Sequence, residues 1–170
     1  RELESLGARL VDVEVAGVEQ IHGAATTVIY ADACEVYAEP LRETPERFDA
    51  DVLARMRLGL DYSAVDYARA MRERERWQHT LRSLFADIDL LLSPTVHTPV
   101  PPIDDGQSLH EATRAATRNT YAGAFGQIPG ISVPCGFGGD GLPVGMQLEA
   151  AWWREDLLLR AGHAYQQVTE

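Results

Sequence analysis

Two apolar runs joined by a glycine-rich connection restrict the fold of this chain more than any other segment does. The first run is Ile131-Ser-Val-Pro-Cys135, the connection is Gly136-Phe-Gly-Gly-Asp-Gly141, and the second run begins at Leu142. Glycine reaches positive φ angles without steric cost, and tight turns between antiparallel strands need such angles. We therefore predict a β-hairpin of two core strands, at 131–135 and 144–150.

The same glycines have the spacing G-x-G-x-x-G, which is also found in dinucleotide-binding sites. Such a site requires a helix that begins at the third glycine, because the helix N-terminus holds the pyrophosphate. Here Gly141 is followed by Leu142-Pro-Val-Gly-Met-Gln-Leu148, whose proline, glycine and alternating pattern are typical of a strand. The spacing therefore favours a turn over a nucleotide site.

The rest of the chain alternates between helical and extended patterns. Ser63-Ala-Val-Asp66 and Ser108-Leu-His-Glu111 match capping boxes, in which a serine hydroxyl and a carboxylate satisfy the free amides at a helix start. The prolines from Pro94 to Pro102 predict a rigid loop. Helices are predicted at 18–39, 51–58, 63–86, 108–124 and 154–167, a helix end at 1–8, and further strands at 10–15 and 89–93, the latter buried.

Strands separated by helices favour an α/β fold, in which helices pack on a sheet. The hairpin adds at least one antiparallel pair to that sheet. A chain of 170 residues can bury one sizeable core, so we expect a single domain over residues 1–170.

Charge and hydropathy exclude two classes of partner. The net charge is −11, which disfavours binding to nucleic acid or to an anionic membrane. No apolar run approaches the ~20 residues of a membrane-spanning helix. The chain begins at Arg1 and not at Met, as a processed or truncated chain does.

The cysteines and histidines give no self-sufficient active site. Cys34 and Cys135 form no C-x-x-C motif and are expected to be free, mostly buried thiols in a reducing compartment, the cytoplasm. Cys135 could instead be an exposed nucleophile with His163 or His97 as its base, but its apolar neighbours favour a buried strand cysteine. The five histidines lack metal-binding spacing, and we expect no metal or other cofactor. Ser132 does not lie in a G-x-S-x-G motif.

The order of several segments resembles the amidase signature family. Asp87 to Thr95, D-I-D-L-L-L-S-P-T, is similar to the D-x-L-L-x-P-T strand and loop of that family. The resemblance covers nearly the whole chain in consistent order. Its other segments are Arg55 to Gly59, Ser63 to Tyr67 with Ala70, Asn119-Thr120, Gly126 to Gly136, Gly141 to Gln147, Glu155 to Leu159, and Ala164-Tyr165.

The resemblance implies a mixed β-sheet flanked by helices and the hydrolysis of a small-molecule carboxamide through a serine acyl-enzyme. In that family the nucleophilic serine is activated by a second serine, held by a cis peptide bond, and by a lysine. This chain has no lysine, no Ser-Ser dipeptide and no Gly-Gly-Ser-Ser loop, and all 15 of its basic residues are arginine. No catalytic residue is therefore assigned here. The chain looks like the C-terminal portion of an amidase whose catalytic triad lies N-terminal to this region.

Substrate-binding residues are predicted from their position beyond a strand end, where functional loops tend to lie on a rigid scaffold. Thr95, Val96 and His97 are the predicted cleft-lining residues, and a purely structural loop is the alternative. Arg55 and Arg57 could bind a substrate carboxylate bidentately, as some family members require. A surface ion pair is the favoured alternative for either arginine.

A second interpretation belongs to a different class of protein. The chain could be a free-standing, non-catalytic domain that binds a partner chain or a small molecule. The open reading frame upstream of Arg1 distinguishes the two, because only an amidase requires a Gly-Ser-Ser-Gly loop and a lysine there. If the chain is part of an amidase, its uncovered sheet edges predict a homodimer.

Overall fold

The computed structural model describes residues 1–100, 102 and 109–169. Within these ranges no helix has the length and apolarity that crossing a bilayer requires. The described helices are α1 (Glu2–Ser5), α2 (Ile21–Val36), α3 (Ala38–Glu43), α4 (Ala50–Arg57), α5 (Ala64–Leu84), α6 (Leu109–Ala116), α7 (Tyr121–Gly126) and α8 (Glu155–Thr169). The described strands are β1 (Leu90–Pro94), β2 (Gly130–Phe137) and β3 (Pro143–Ala150), and short 3-10 turns cover Pro45–Arg47 and Leu58–Asp61.

The three strands form one sheet in the order β1-β3-β2, and both ladders are antiparallel. β2 and β3 are the two halves of the predicted hairpin, with Ile131 opposite Leu148 and Val133 opposite Met146. β1 lies on the other side of β3, where Leu92 is opposite Leu148. The hairpin is therefore confirmed, and the combination of helices with a sheet confirms the α/β class.

One face of the sheet packs on α8, because side chains alternate between the two faces of each strand. Val133, Met146 and Leu148 are buried on this face against Leu158 and Tyr165 of α8. This apolar layer fixes the register of the hairpin, since a shift by one residue would turn these side chains away from α8.

A second apolar cluster joins α2, α5 and α7. Its largest buried side chains include Trp77 and Leu81 of α5 and Phe125 of α7. The Trp77 indole Nε1 donates a hydrogen bond of 2.8 Å to the carbonyl oxygen of Ala122, so the ring is buried with its polar atom satisfied. Gly126 lies against Leu81 so closely that a side chain there would overlap it. This cluster holds α7 against α5 beside the sheet.

The first predicted capping box is confirmed at the start of α5. The Ser63 hydroxyl accepts a hydrogen bond of 3.1 Å from the Asp66 amide, and the Ser63 amide donates one of 3.1 Å to the Asp66 carboxylate. The Ser63 hydroxyl also donates a hydrogen bond of 2.6 Å to the Asp66 carboxylate, and the bonds that the Ser63 hydroxyl and amide donate to this carboxylate lower the pKa of Asp66 below its ordinary value. The second predicted box, at Ser108, lies outside the described residues.

The predicted strand at 10–15 is wrong. Residues 8–15 have no regular structure, and Val11 and Val13 are 49% and 40% exposed. Alternation produces a strand only where a neighbouring strand offers its hydrogen-bonding edge, and in the described part of the chain none pairs with this segment.

Two predicted helices are divided. The helix predicted at 18–39 ends at Val36, and Pro40 lies in the first turn of α3, where proline is tolerated because no intrahelical amide bond is lost. The helix predicted at 108–124 is split into α6 and α7 by turns at residues 117–120. The helices predicted at 51–58, 63–86 and 154–167 are confirmed as α4, α5 and α8.

The prediction that Cys135 is buried is also wrong. Cys135 is exposed, although Cys34 is buried as predicted. The ladder between β2 and β3 is irregular between Pro134 and Phe137, so Cys135 lies where regular pairing stops. Its thiol donates a hydrogen bond of 3.4 Å to the carbonyl oxygen of Val144. Leu92 is 44% exposed, so β1 is only partly buried in this chain.

We expect Gly141→Ala to destabilise the chain by about 1 kcal/mol or more. Gly141 has φ +77°, in the left-handed region that an alanine side chain disfavours. Urea denaturation of both chains measures the change. Gly139→Ala is the matched control in the same turn, because a Cβ there meets nothing within 4 Å and Gly139 is not among the glycines with positive φ. Equal denaturation midpoints for the two variants would contradict the prediction.

We also expect the 170-residue chain to form a homodimer through its sheet. β1 and β2 are the outer strands of the described sheet, and Phe137 at the end of β2 is 78% exposed. Unpaired strand edges and exposed apolar side chains promote pairing with a second copy. Sedimentation equilibrium at micromolar concentration measures the mass. A monomer of 18.7 kDa that binds no hydrophobic dye would contradict this prediction.

Candidate functional site

The face of the sheet opposite α8 is polar. In the strand registers Ser93 of β1 is opposite Gln147 of β3, which is also opposite Ser132 of β2. Glu149 lies two residues further along β3 and therefore on the same face. Gln147 and Glu149 are 6% and 7% exposed, so this face is covered at β3, whereas Ser132 on β2 is exposed.

Thr95 extends this face beyond the end of β1. Its amide donates a hydrogen bond of 2.9 Å to the carbonyl oxygen of Gly145, and its hydroxyl lies 2.5 Å from the Ser132 hydroxyl. A Cβ on Gly145 would lie 2.8 Å from the Thr95 Oγ1 and 2.9 Å from the Ser132 Oγ. Glycine is therefore needed at position 145 for the two hydroxyls to meet above β3.

Asn119, in the turn between α6 and α7, connects the helices to this face. Its side-chain amide donates a hydrogen bond of 2.7 Å to the carbonyl oxygen of Pro94. Its own carbonyl oxygen accepts one of 3.2 Å from the Gln147 side chain. Asn119 therefore fixes the position at which the chain leaves β1, directly before Thr95.

His97 lies beside Arg118 of the same turn. The distance between Arg118 Nη1 and His97 Nε2 is 3.3 Å, and Arg118 Nη2 donates a hydrogen bond of 3.3 Å to Glu19. A guanidinium group can only donate, so this contact is a hydrogen bond in the tautomer of His97 whose Nε2 accepts. The contact holds the imidazole ring in one orientation next to Thr95 and Val96.

Glu149 is a carboxyl group buried on the polar face. Burial raises its pKa to about 7, and a hydrogen bond with the Gln147 side chain opposes this shift. Gly123 of α7 makes room for the group, because a Cβ on Gly123 would overlap Oε1 of Glu149. A cavity of about 250 Å³ separates this part of the sheet from α5 and α7, and Glu149, Ser93 and Asn119 contribute to its wall.

The structure brings the three predicted residues of the loop together and places the two predicted arginines on α4. Thr95, Val96 and His97 follow β1 at one end of the polar face, and Val96 is 43% exposed. Arg55 lies on α4, and its guanidinium group donates hydrogen bonds of 3.4 Å to the Asp51 carbonyl and 3.3 Å to the Thr113 hydroxyl of α6. Its described partners are thus neutral oxygens.

Sequence reasoning missed the residues on the polar face. Ser93, Gln147 and Glu149 are absent from the predicted site, and Asn119 enters only through the family resemblance. A signal was present in β3, where Gln147 and Glu149 alternate with Met146, Leu148 and Ala150. Polar side chains at alternate positions usually indicate a solvated face. Only packing against the helices shows that Gln147 and Glu149 are buried.

The family of the chain follows from comparison with known proteins. The model of the Amidase family matches residues 1–159, and the chain belongs to this family. It is similar to an amidase of Pseudomonas putida, with 36% identity over 99% of this chain and 37% of the relative. It is also similar to a subunit of the glutamyl-tRNA(Gln) amidotransferase of Pseudomonas syringae pv. syringae, with 31% identity over the whole chain and 40% of that relative.

A solved structure shares the fold closely. It is described as an unexpected vestigial protein complex that reveals the evolutionary origins of an s-triazine catabolic enzyme. It has 29% sequence identity and a TM-score of 0.83 over 98% of this chain and 38% of its own. The chain therefore spans well under half of the length of the relatives it matches, from 37% to 40% of them.

We expect the stabilising effect of Glu149→Gln to depend on pH. The folded pKa of about 7 is above the ordinary 4.5, so the folded chain holds this proton more tightly than the unfolded chain. Stability from the protonated carboxyl is present below pH 4.5 and is lost as the pH rises to about 7. The free energy of unfolding of the variant, relative to that of the parent chain, should therefore rise by roughly 3 kcal/mol between pH 4.5 and about 7. At higher pH this difference should level off.

Urea denaturation across the window measures this difference. Glu155→Gln, at an exposed position at the start of α8, is the matched control for the loss of one carboxyl group at the surface. A pH-independent difference for Glu149→Gln would show that the Glu149 carboxyl titrates normally.

Proposed function

We propose that this chain is the C-terminal part of an amidase that hydrolyses small-molecule carboxamides through a serine acyl-enzyme. The observation that carries the proposal is the family match over residues 1–159, which includes every described strand. The chain contains no lysine, so the serine pair and the lysine of the mechanism would belong to sequence outside it. The cytoplasmic location predicted from the free cysteines stays a prediction.

The hydroxyls of Ser132 and Thr95 on the polar face support a nucleophile that lies outside this chain. A serine becomes a nucleophile when an adjacent base takes its proton. Ser132 instead shares a hydrogen bond with the Thr95 hydroxyl, and within the described residues no histidine or carboxylate is bonded to either of them. These two hydroxyls are suited to binding and not to nucleophilic attack.

The substrate contacts of this part would come from the loop after β1. A carboxamide offers a carbonyl oxygen and N–H groups, which a hydroxyl and an imidazole can bind. Thr95 and His97 present these groups at the end of the polar face, and Val96 adds an apolar contact. The bonds from Asn119 to Pro94 and from Arg118 to His97 position this loop.

Arg55 is proposed to bind a carboxylate on the substrate. Its guanidinium group is half-buried and reaches the Thr113 hydroxyl on α6, the helix that leads to Arg118 and Asn119. The described hydrogen bonds of Arg55 go to a carbonyl and a hydroxyl oxygen, which do not neutralise its charge.

A non-catalytic binding domain is the second candidate function. The observation that favours it is the sheet, whose outer strands β1 and β2 lack a further neighbour in the described structure. Such edges can bind a strand of a partner chain. One relative is by name a subunit of an amidotransferase, which indicates that an amidase-like chain can occur within an assembly.

We expect the 170-residue chain alone to hydrolyse no carboxamide and to react with no serine-directed phosphonate, because it contains no lysine base. Mass spectrometry of the treated chain measures phosphonate labelling. The matched comparison is the product of the complete open reading frame that encodes the chain. This product should be labelled at one serine outside residues 1–170 and should hydrolyse amides.

The labelled position and the open reading frame distinguish the amidase from the non-catalytic binding domain. Labelling of a serine within this chain, such as Ser132, would overturn the assignment of the nucleophile. An open reading frame with a start codon near Arg1, and with no Gly-Ser-Ser-Gly loop or lysine, would favour the binding domain over the amidase.

A further inference from the structure

The cavity beside Glu149 is a distinct feature of the chain. It lies between the polar face of the sheet and the helices α5 and α7, and its volume is about 250 Å³. Trp77 and Leu81 of α5, Leu91 of β1 and Ile128 give it apolar walls. Glu149 and Ser93 add polar groups from the sheet. Small-molecule sites have this composition, with mostly apolar walls and a few polar groups that fix orientation.

The carboxyl group of Glu149 lies at the wall of this cavity, and among the described residues no cation forms an ion pair with it. Glu149 is 7% exposed, and the group that opposes the effect of burial on its pKa is the neutral amide of Gln147. Arg118 also contributes to the wall, but its guanidinium group is bound to Glu19 and faces His97. A buried charge without a partner is costly, and a cation in the cavity would remove that cost.

Gly123 shows that the local backbone accommodates the carboxyl group. Any side chain at this position would overlap Oε1 of Glu149, and Gly123 itself is buried on α7. Glycine within a helix lowers stability relative to alanine. The helix therefore has a less stabilising residue at a position where a side chain would displace the carboxyl group.

We propose that this cavity binds a small organic cation, with an amidinium or primary ammonium head against the Glu149 carboxylate and a short apolar body against Leu91 and Ile128. A metal ion suits the cavity less well. Ca²⁺ and Zn²⁺ need several ligand groups, and in the described residues no group of three His, Cys, Asp or Glu side chains could hold a metal. The site does not depend on the proposed amidase activity.

Calorimetric titration of the 170-residue chain with benzamidinium chloride tests the proposal. Benzamide is the matched neutral ligand, because it has nearly the same shape without the charge. We expect saturable binding of one benzamidinium per chain and no saturable binding of benzamide. Glu149→Gln should weaken benzamidinium binding by roughly tenfold or more, since a charge-assisted hydrogen bond is lost. Glu155→Gln, which removes an exposed carboxylate of the same charge, should bind as the parent chain does.

A second variant and a measurement of proton release on binding distinguish loss of the site from misfolding. Gly123→Ala should also weaken binding, because its side chain displaces the Glu149 carboxyl, and near-ultraviolet circular dichroism reports whether either variant keeps its aromatic packing. Below about pH 7 the bound cation should release a proton from Glu149, which titrations in two buffers of different ionisation heat detect. Equal affinity of the parent and a folded Glu149→Gln variant, equal binding of benzamide, or no binding at millimolar benzamidinium would each overturn the proposal.

Discussion

β3 is the strand on which the remaining structure depends. It pairs with β1 on one side and β2 on the other, so both ladders of the described sheet use its backbone. Its side chains divide strictly between two environments, because alternate residues point to opposite faces. Met146, Leu148 and Ala150 pack on the α8 side, while Gln147 and Glu149 lie beneath α7 and the turn before it. One strand therefore fixes the apolar layer and the polar site together.

The two polar residues of β3 have different energetic consequences. Gln147 is satisfied by the carbonyl oxygen of Asn119, and this bond ties the helical turn to the sheet. Glu149 is an acid that burial keeps partly protonated near neutral pH. A buried acid with a raised pKa lowers stability when it ionises, and such groups concentrate at functional sites. The polar face is thus the part of the fold that packing alone does not explain.

Local signals predicted the elements whose cause is local. The Ser63 capping box and the glycine at position 141 each act through their own backbone, and the structure confirms both. The strand predicted at 10–15 was wrong because a strand needs a partner that its own sequence does not supply. The predicted burial of Cys135 was wrong for a related reason, since its exposure depends on where the ladder between β2 and β3 becomes irregular.

Periodicity, turn chemistry and the order of motifs were enough to establish the hairpin, the helix starts and the amidase family, because these follow from neighbouring residues or from the whole linear pattern. The loop after β1 was also found in this way, with Thr95 and His97. The environment of Glu149 was not contained in any segment. Gly123, Asn119 and Trp77 are distant from it in sequence, and only folding brings them to one cavity. Burial and charge are properties of that assembled environment, so the acidity of Glu149 is set by packing and not by its place in the chain.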